Sequence, residues 1–340
     1  MLRTHSLRST TGKPPLLLGL DPVVQRLLRQ PQNLRRGRYA LARLCQAYRF
    51  EFELQRVPRP RRSLVAAIEK AGVGSTLTAP GAGLTVLAPS NAAFTTLAGQ
   101  LGFADSAAML AALSPADLAR ILQYHVLPGQ KLAADLEAGP ATQATAYSFS
   151  GAPATLSVSV ANGVAIRDAV LASARVTTAD ISANNGVLHA IDKVLVPPGV
   201  LNIVQMAQAN PGAFSSLTNA VIATGLAANL SGPGPLTVFA PTNTAFAAAP
   251  GGLTTAQLTS VLTYHVLSGQ VLSTGIPFGT PVPTLDTTTL AGATVAAQTI
   301  TINADLSIMD TTAVPARITA VDVRASNGVI HVIDKVLLPN

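Results

Sequence analysis

Residues Asn185 to Pro197 (NGVLHAIDKVLVP) return almost letter for letter as Asn327 to Pro339 (NGVIHVIDKVLLP). A run this rich in aliphatic and β-branched side chains reads as a strand buried on both faces. The Asn-Gly pair that opens it suits the positive φ angles of a tight turn, and the proline closes it. Whatever this chain folds into, it contains that unit twice.

The repeat extends upstream. LTVLAPSNAAF (Leu84 to Phe94) matches LTVFAPTNTAF (Leu236 to Phe246), and Tyr124-His125-Val126-Leu127 matches Tyr264-His265-Val266-Leu267. The offsets are 152 residues from Asn91 to Asn243, 140 from Tyr124 to Tyr264 and 142 from His189 to His331. The first copy therefore holds twelve extra residues between Phe94 and Tyr124, assigned to a helix over Ser106 to Leu113. In LTVLAPS the strand ends at Pro89, and Ser90 or Asn91 can cap the next helix. A hydrolase nucleophile elbow is rejected for Ser90, because the flanking glycines are missing and the second copy carries Thr242 there.

Ser114-Pro115-Ala116-Asp117 is a capping box with proline in the first turn, and Leu118, Ile121, Leu122 and His125 follow on one helical stripe. Thr254 and Gln257 form the second box, with Leu258, Val261, Leu262 and His265 as its stripe. A histidine that ends an apolar stripe is usually a hydrogen-bonded structural residue. The short β-like runs at Tyr147 to Phe149, Thr155 to Val160, Val164 to Ile166 and Arg175 to Ile181 predict an antiparallel sheet built after the helices, so each repeat is α+β. Pro197-Pro198-Gly199 is the whole linker, short enough to restrict how the repeats sit together.

Charge is unevenly placed. Of 23 Lys and Arg, fourteen precede residue 63 against three acids, a net +11, while the rest of the chain holds nine bases and thirteen acids, a net −4. The repeated body is mildly acidic, which argues against nucleic-acid binding. Residues 1–62 read as an exposed tail or a mis-called start, with short helices expected from Asp21 and over Arg38 to Tyr48. The longest leader candidate, Pro14 to Leu20, is too short for a signal-peptide core, and no run is long enough to span a membrane. The single cysteine, Cys45, lies in this segment, so neither repeat can form a disulfide or a thiolate metal site.

The ordered triplet of blocks, present twice over residues 63–340, resembles the fasciclin (FAS1) domain family. The resemblance implies two tandem domains, each an α+β wedge of roughly seven mainly antiparallel strands with flanking helices. It implies secretion or cell-surface display, and adhesion to cell-surface or matrix proteins or polysaccharides without catalysis. Domain limits are placed at 63–198 and 199–340. In animal members, integrin binding is attributed to the Tyr-His region and to an Asp-Ile pair before the last block. These map onto Tyr124, His125, Asp180 and Ile181, and onto Tyr264, His265 and Asp322, where Val323 replaces the isoleucine.

Domain two opens with Val200 to Ala207, like the family's first helix. The equivalent Ala47 to Leu54 alternates with period two instead, so domain one is expected to lack that helix. An uncovered apolar groove follows, or one filled from residues 38–56, and the basic segment is read as a wrong start or shifted frame.

Asn91, Asn243, Asn185, His189, Asp192, Asn327, His331 and Asp334 are assigned structural roles. Along the long strand His189 and Asp192 point to opposite faces and cannot form a dyad. Asp192 and Asp334 sit among aliphatic residues, so backbone N–H partners are expected for them. No metal, cofactor or catalytic motif is found, and Asn229-Leu230-Ser231 is a glycosylation acceptor by pattern only. Two other functions stay open: a carrier holding a small apolar or lipid ligand in a helix–sheet cleft, which a large closed pocket would favour, and an adaptor that meets anionic surfaces through the basic tail.

Overall fold

The computed structural model describes residues 62–79, 83–160, 163–287 and 297–339. The expectations for the basic segment, including its two helices and the 38–56 filler, lie outside the described residues.

In the first repeat, α1 (Arg62–Ala71) buries Leu64 and Ala67 and stops at Gly72, whose φ of 68° a side chain would resist. After α2 (Gly74–Leu77) comes β1 (Leu84–Pro89), then α3 (Asn91–Gln100), capped by Ser90, whose Oγ accepts the Ala93 N–H at 3.1 Å. The extra residues form α4 (Ser106–Ala112), and α3 is also longer than its counterpart. α5 (Pro115–Tyr124) starts at the Ser114–Asp117 box, as its sequence requires. There follow β2 (Val126–Leu127), α6 (Ala133–Ala138), β3 (Thr142–Phe149), β4 (Ala152–Ser159), β5 (Ala165–Arg167), β6 (Ser173–Ala183) and β7 (Gly186–Ile191).

The second repeat runs α7 (Ile203–Gln208), α8 (Pro211–Ala223), α9 (Ala227–Ser231), β8 (Leu236–Pro241), α10 (Asn243–Ala247), α11 (Thr255–Tyr264) and β9 (Val266–Ser268). A 3₁₀ turn at Ser273–Gly275 leads to β10 (Pro281–Pro283), β11 (Thr299–Ile302), β12 (Ser307–Met309), β13 (Ala316–Ala325) and β14 (Gly328–Ile333).

Each repeat builds a seven-stranded sheet, ordered β2-β1-β7-β6-β5-β4-β3 in the first and β10-β11-β12-β13-β14-β8-β9 in the second. The sheets are mixed, not purely antiparallel, because β1 pairs parallel with β7 and β8 parallel with β14. This corrects the reading that the sheet forms only after the helices: the strand that precedes them lies beside the last one. It also revises the role of the Asn-Gly pairs. Gly186 and Gly328 are not among the positive-φ residues. Instead, a Cβ on Gly186 would lie 1.9 Å from the Leu84 carbonyl oxygen, and one on Gly328 2.1 Å from that of Leu236. Glycine is needed for close approach of the parallel partner.

β7 and β14 are buried on both faces throughout. On one side Val86, Ala88 and Leu188 join the helix layer through Leu64, Leu118 and Leu122; on the other Leu87, Ile191 and Leu195 pack with Tyr124, Leu156 and Ile166. Truncating a fully buried member such as Leu87 to alanine would cost about 2–5 kcal/mol. The strand ends at Ile191, short of the expected proline, because Asp192 turns its N–H and its carboxylate onto the backbone of Arg175.

The helix-side core does not stop at the linker. Val170, Val194 and Val196 of the first repeat belong to one cluster of packed side chains with Leu201, Met206 and Ala209 of the second. The buried Asn210 donates from Nδ2 to the Val170 carbonyl at 2.9 Å. Gly199 N–H donates to the Arg324 carbonyl at 2.9 Å, Ser326 N–H to that of Leu201 at 2.8 Å, and Tyr147 Oη to that of Pro198 at 3.1 Å.

Candidate functional site

The Tyr-His pair sits where α5 meets the sheet. One residue of helix rotation sends the two rings into different cores. Tyr124 enters the cluster with Leu87 and Leu195, its Oη donating to the Thr155 carbonyl at 2.9 Å, and burial raises its pKa. His125 donates from Nδ1 to the Ile121 carbonyl at 2.7 Å and accepts the Leu195 N–H on Nε2 at 2.9 Å. Tyr264 and His265 repeat this, with Oη to the Thr299 carbonyl, Nδ1 to the Val261 carbonyl and Nε2 accepting from Leu337 N–H. Burial lowers both histidines to about 4, so the rings are neutral. All four side chains are at most 2% exposed. In the folded domain none of them is presented to a partner's surface, which differs from the expected partner-facing placement.

The second histidine of each copy supports a bulge. His189 is fully buried; its Nε2 donates to the Lys131 carbonyl at 2.9 Å, and its Nδ1 accepts the Asp180 N–H at 3.3 Å. Because Nδ1 is an acceptor here, its 3.9 Å approach to Asp180 Oδ1 is not an ion pair. His331 does the same with the Val271 carbonyl and the Asp322 N–H, stacks on Phe239, and has its pKa lowered by burial.

Asp180 and Asp322 each sit at a register shift between the last two strands, with φ of 57° and 58°. Left-handed backbone at a non-glycine residue costs about 1–2 kcal/mol, offset here by side-chain bonds. Asp180 Oδ1 accepts the Ala133 N–H at 2.8 Å, and Asp322 Oδ1 accepts that of Ser273 at 2.9 Å. The Asp180 side chain is 45% exposed, Ile181 is half-buried against the core, and Val323 is buried.

The asparagines are anchors. Asn91 Oδ1 accepts the Ser63 N–H, and Asn243 Oδ1 that of Ser216. Asn185 Nδ2 donates to the carbonyls of Leu77 and Ala79, and Asn327 Nδ2 to those of Leu230 and Gly232. Asn327 Oδ1 also accepts the N–H of Ile203, the first residue of α7. Asp192 and Asp334 accept backbone N–H groups as expected, from Arg175 and Arg317 at 2.7 Å each. Both are exposed, however, and not enclosed by aliphatic neighbours.

Sequence reasoning missed Asp168 and Asp310, although they are spaced by the same 142 residues as His189 and His331. Asp168 accepts the N–H groups of Val170, Ala172 and Val196, and Asp310 those of Thr312 and Leu338, so each latches the segment after the last strand. The twins differ electrostatically. Burial pushes Asp168 up to about 7 despite its backbone donors. Burial also opposes charge on Asp310, but bonds from Thr312, the Leu338 N–H and Lys335, whose Nζ is at 3.0 Å, outweigh it and hold that carboxyl below its usual range.

Equivalent cavities lie beside His125 and His265 under the helices, about 10 Å³ and 30 Å³ in volume and almost wholly apolar. The first has room for one water at most and the second for two or three, by a threshold of about 10–15 Å³ per water. Among the described residues no group of three or more His, Cys, Asp or Glu could hold a metal ion, and no helix is long and apolar enough to cross a membrane.

A family model for the fasciclin domain matches residues 61–197 and 212–339. Protein sll1483 of Synechocystis sp. is 38% identical over 147 residues, covering 41% of this chain and 74% of that protein. The transforming growth factor-beta-induced protein ig-h3 of Sus scrofa is 31% identical over 262 residues, 75% of this chain. The chain spans only 35% of that relative's length. A solved FAS1 domain pair from the insect cell adhesion molecule fasciclin I aligns over 82% of this chain and 96% of its own, at 17% identity and a TM-score of 0.40.

Proposed function

The chain belongs to the fasciclin domain family, and from that premise we propose that it is a non-enzymatic adhesion protein, displayed on the cell surface or secreted, whose two domains span 63–198 and 199–340. One observation carries this reading: in both copies each histidine ring of the shared motifs has both nitrogens bonded to its own domain's backbone. A ring so committed has neither a free lone pair nor a free proton to offer a substrate. The motif side chains are spread through two cores and a bulge instead of converging on one cavity.

The partner-facing positions are then the bulges that those histidines brace. Asp180 and Asp322 are held in the left-handed region, the first with its side chain 45% exposed, and they are the residues through which a matrix or cell-surface protein is engaged. Ile181 and the buried Tyr124, His125, Tyr264 and His265 support the shape of these ledges from within. Cavities of about 10 and 30 Å³ speak against a lipid carrier, because a typical small-molecule site needs roughly 300 Å³ or more.

The test is capture of partners from cell-surface or matrix extract on the immobilised full chain, compared with the double variant Asp180→Lys, Asp322→Lys. Loss of a saturable partner with the variant still folded supports the reading. Undiminished capture refutes the role of the bulges.

A further inference from the structure

Arg324 is the one guanidinium among the described residues with a sealed nitrogen that bonds to nothing: its Nε is buried and lacks a partner. Its side chain pairs with no described carboxylate, whereas Arg120 pairs with Asp117 and Lys335 with Asp310. The terminal nitrogens are likewise unbonded among the described residues, but they are not sealed, and the residue is partly exposed. The cation is held in place from two sides. Its Cζ lies 5.4 Å from the centroid of the Phe149 ring across the domain seam, and its carbonyl accepts the Gly199 N–H. Phe149 is itself fixed by Tyr147 at 6.5 Å and by Gly199, where a Cβ would come within 2.3 Å of the ring. The equivalent position in the first repeat is Ser182, so the feature belongs to the seam and not to the fold of one domain.

A guanidinium that is partly desolvated, pre-oriented by an aromatic face and without a counter-charge among the described residues, in a body of net charge −4, is set up to receive an anion. We propose that Arg324 binds a carboxylate of an acidic peptide segment, end-on through its two terminal nitrogens, at the seam between the domains. The occupant is a peptide carboxylate because a flexible acidic side chain can reach a partly exposed fork in the bidentate geometry that guanidinium favours, and a sugar acid is the alternative that the second arm below tests. Two parallel charge-assisted hydrogen bonds to the fork would fix the partner's register against both domains at once. This deepens the adhesion reading and rests on it, by giving the partner surface an acidic segment.

The full chain is titrated with a fluorescein-labelled hexaglutamate peptide, and, in a second arm, with oligogalacturonate. Two quantities are read: affinity by anisotropy, and the Arg324 Nε–H resonance by NMR, which is blind to peptide held by the basic segment 1–62. Saturable movement of that resonance by the peptide, with at least tenfold weaker binding in Arg324→Gln and a smaller loss in Phe149→Leu, supports the proposal. An unmoved resonance at saturating peptide overturns it, as does movement by oligogalacturonate alone. If Arg324→Gln does not fold, the wild-type resonance still decides. Failure here leaves extract capture through Asp180 and Asp322 untouched, so the two readings fall separately.

Discussion

Leu195 gives its backbone N–H to Nε2 of His125 at 2.9 Å, and the same bond recurs from Leu337 to His265. A residue at the end of a helix thereby captures the chain after the last strand, 70 residues later. The bond closes each domain between its middle and its end.

Replacing His125 by leucine changes the volume little but strands two buried backbone groups, the Ile121 carbonyl and the Leu195 N–H. The expected loss is about 2–4 kcal/mol in urea unfolding. A loss below about 1 kcal/mol would show that the bond is dispensable.

Acid should weaken the fold through the same rings. His125 and His265 titrate near 4 in the folded chain, against an ordinary 6.5, so between those values the unfolded chain binds more protons. Stability is complete above about pH 6.5 and falls as the pH drops towards 4, by about 3 kcal/mol for each ring. His331, also lowered, adds to the trend. Asp168 opposes it: with its pKa raised from 3.8 to about 7, its contribution is present at low pH and is lost as the pH rises through that range. Asp168→Asn should therefore steepen the acid-side decline. Unfolding free energies at several pH values check both signs, and a flat wild-type profile would contradict them.

Much of this was legible in the chain. Ser90, Ser114 and Thr254 announce their helices because capping is local chemistry, and Tyr124 and His125 separate by helix geometry alone. The parallel pairing of β1 with β7 was not, since nothing in Leu84 to Pro89 says which strand lies beside it. Asp168 and Asp310 were hidden by their neighbours: unlike the histidines they sit in dissimilar loops, RDAVLASAR and MDTTAVPAR, and only the constant offset marks them. Seam residues such as Phe149, Arg324 and Asn210 occur once each and carry no repeat signal at all.

The bulge aspartates separate backbone from side-chain contributions. Asp180→Ala keeps the left-handed strain and loses the bond to Ala133, and should cost about 1–2 kcal/mol. Asp180→Gly loses the same bond but relieves the strain, and should fall within about 1 kcal/mol of wild type. Equal losses in the two variants would mean that φ at this position carries no cost.

Among the described residues Asn327 makes three anchoring bonds, donating to the carbonyls of Leu230 and Gly232 and accepting the N–H of Ile203. Asn327→Ala strands these backbone groups and should destabilise by about 1–3 kcal/mol. Urea denaturation of the variant tests this; a loss below about 0.5 kcal/mol would rule it out.

A methyl group at Gly199 would strike the Phe149 ring and must also accept φ of 75°. Gly199→Ala should loosen the seam, visible as new cleavage near Pro197-Pro198 in limited proteolysis. An unchanged cleavage pattern would show that the ring can move aside at no cost to the junction.

The apolar cluster that runs from Leu64 through Val196 and Leu201 to Val332 ignores the boundary between the copies. Duplicated modules on a loose tether can each absorb damage alone, but these two have grown into one another. A lesion in either half should therefore be felt in the other, and the two halves should melt together.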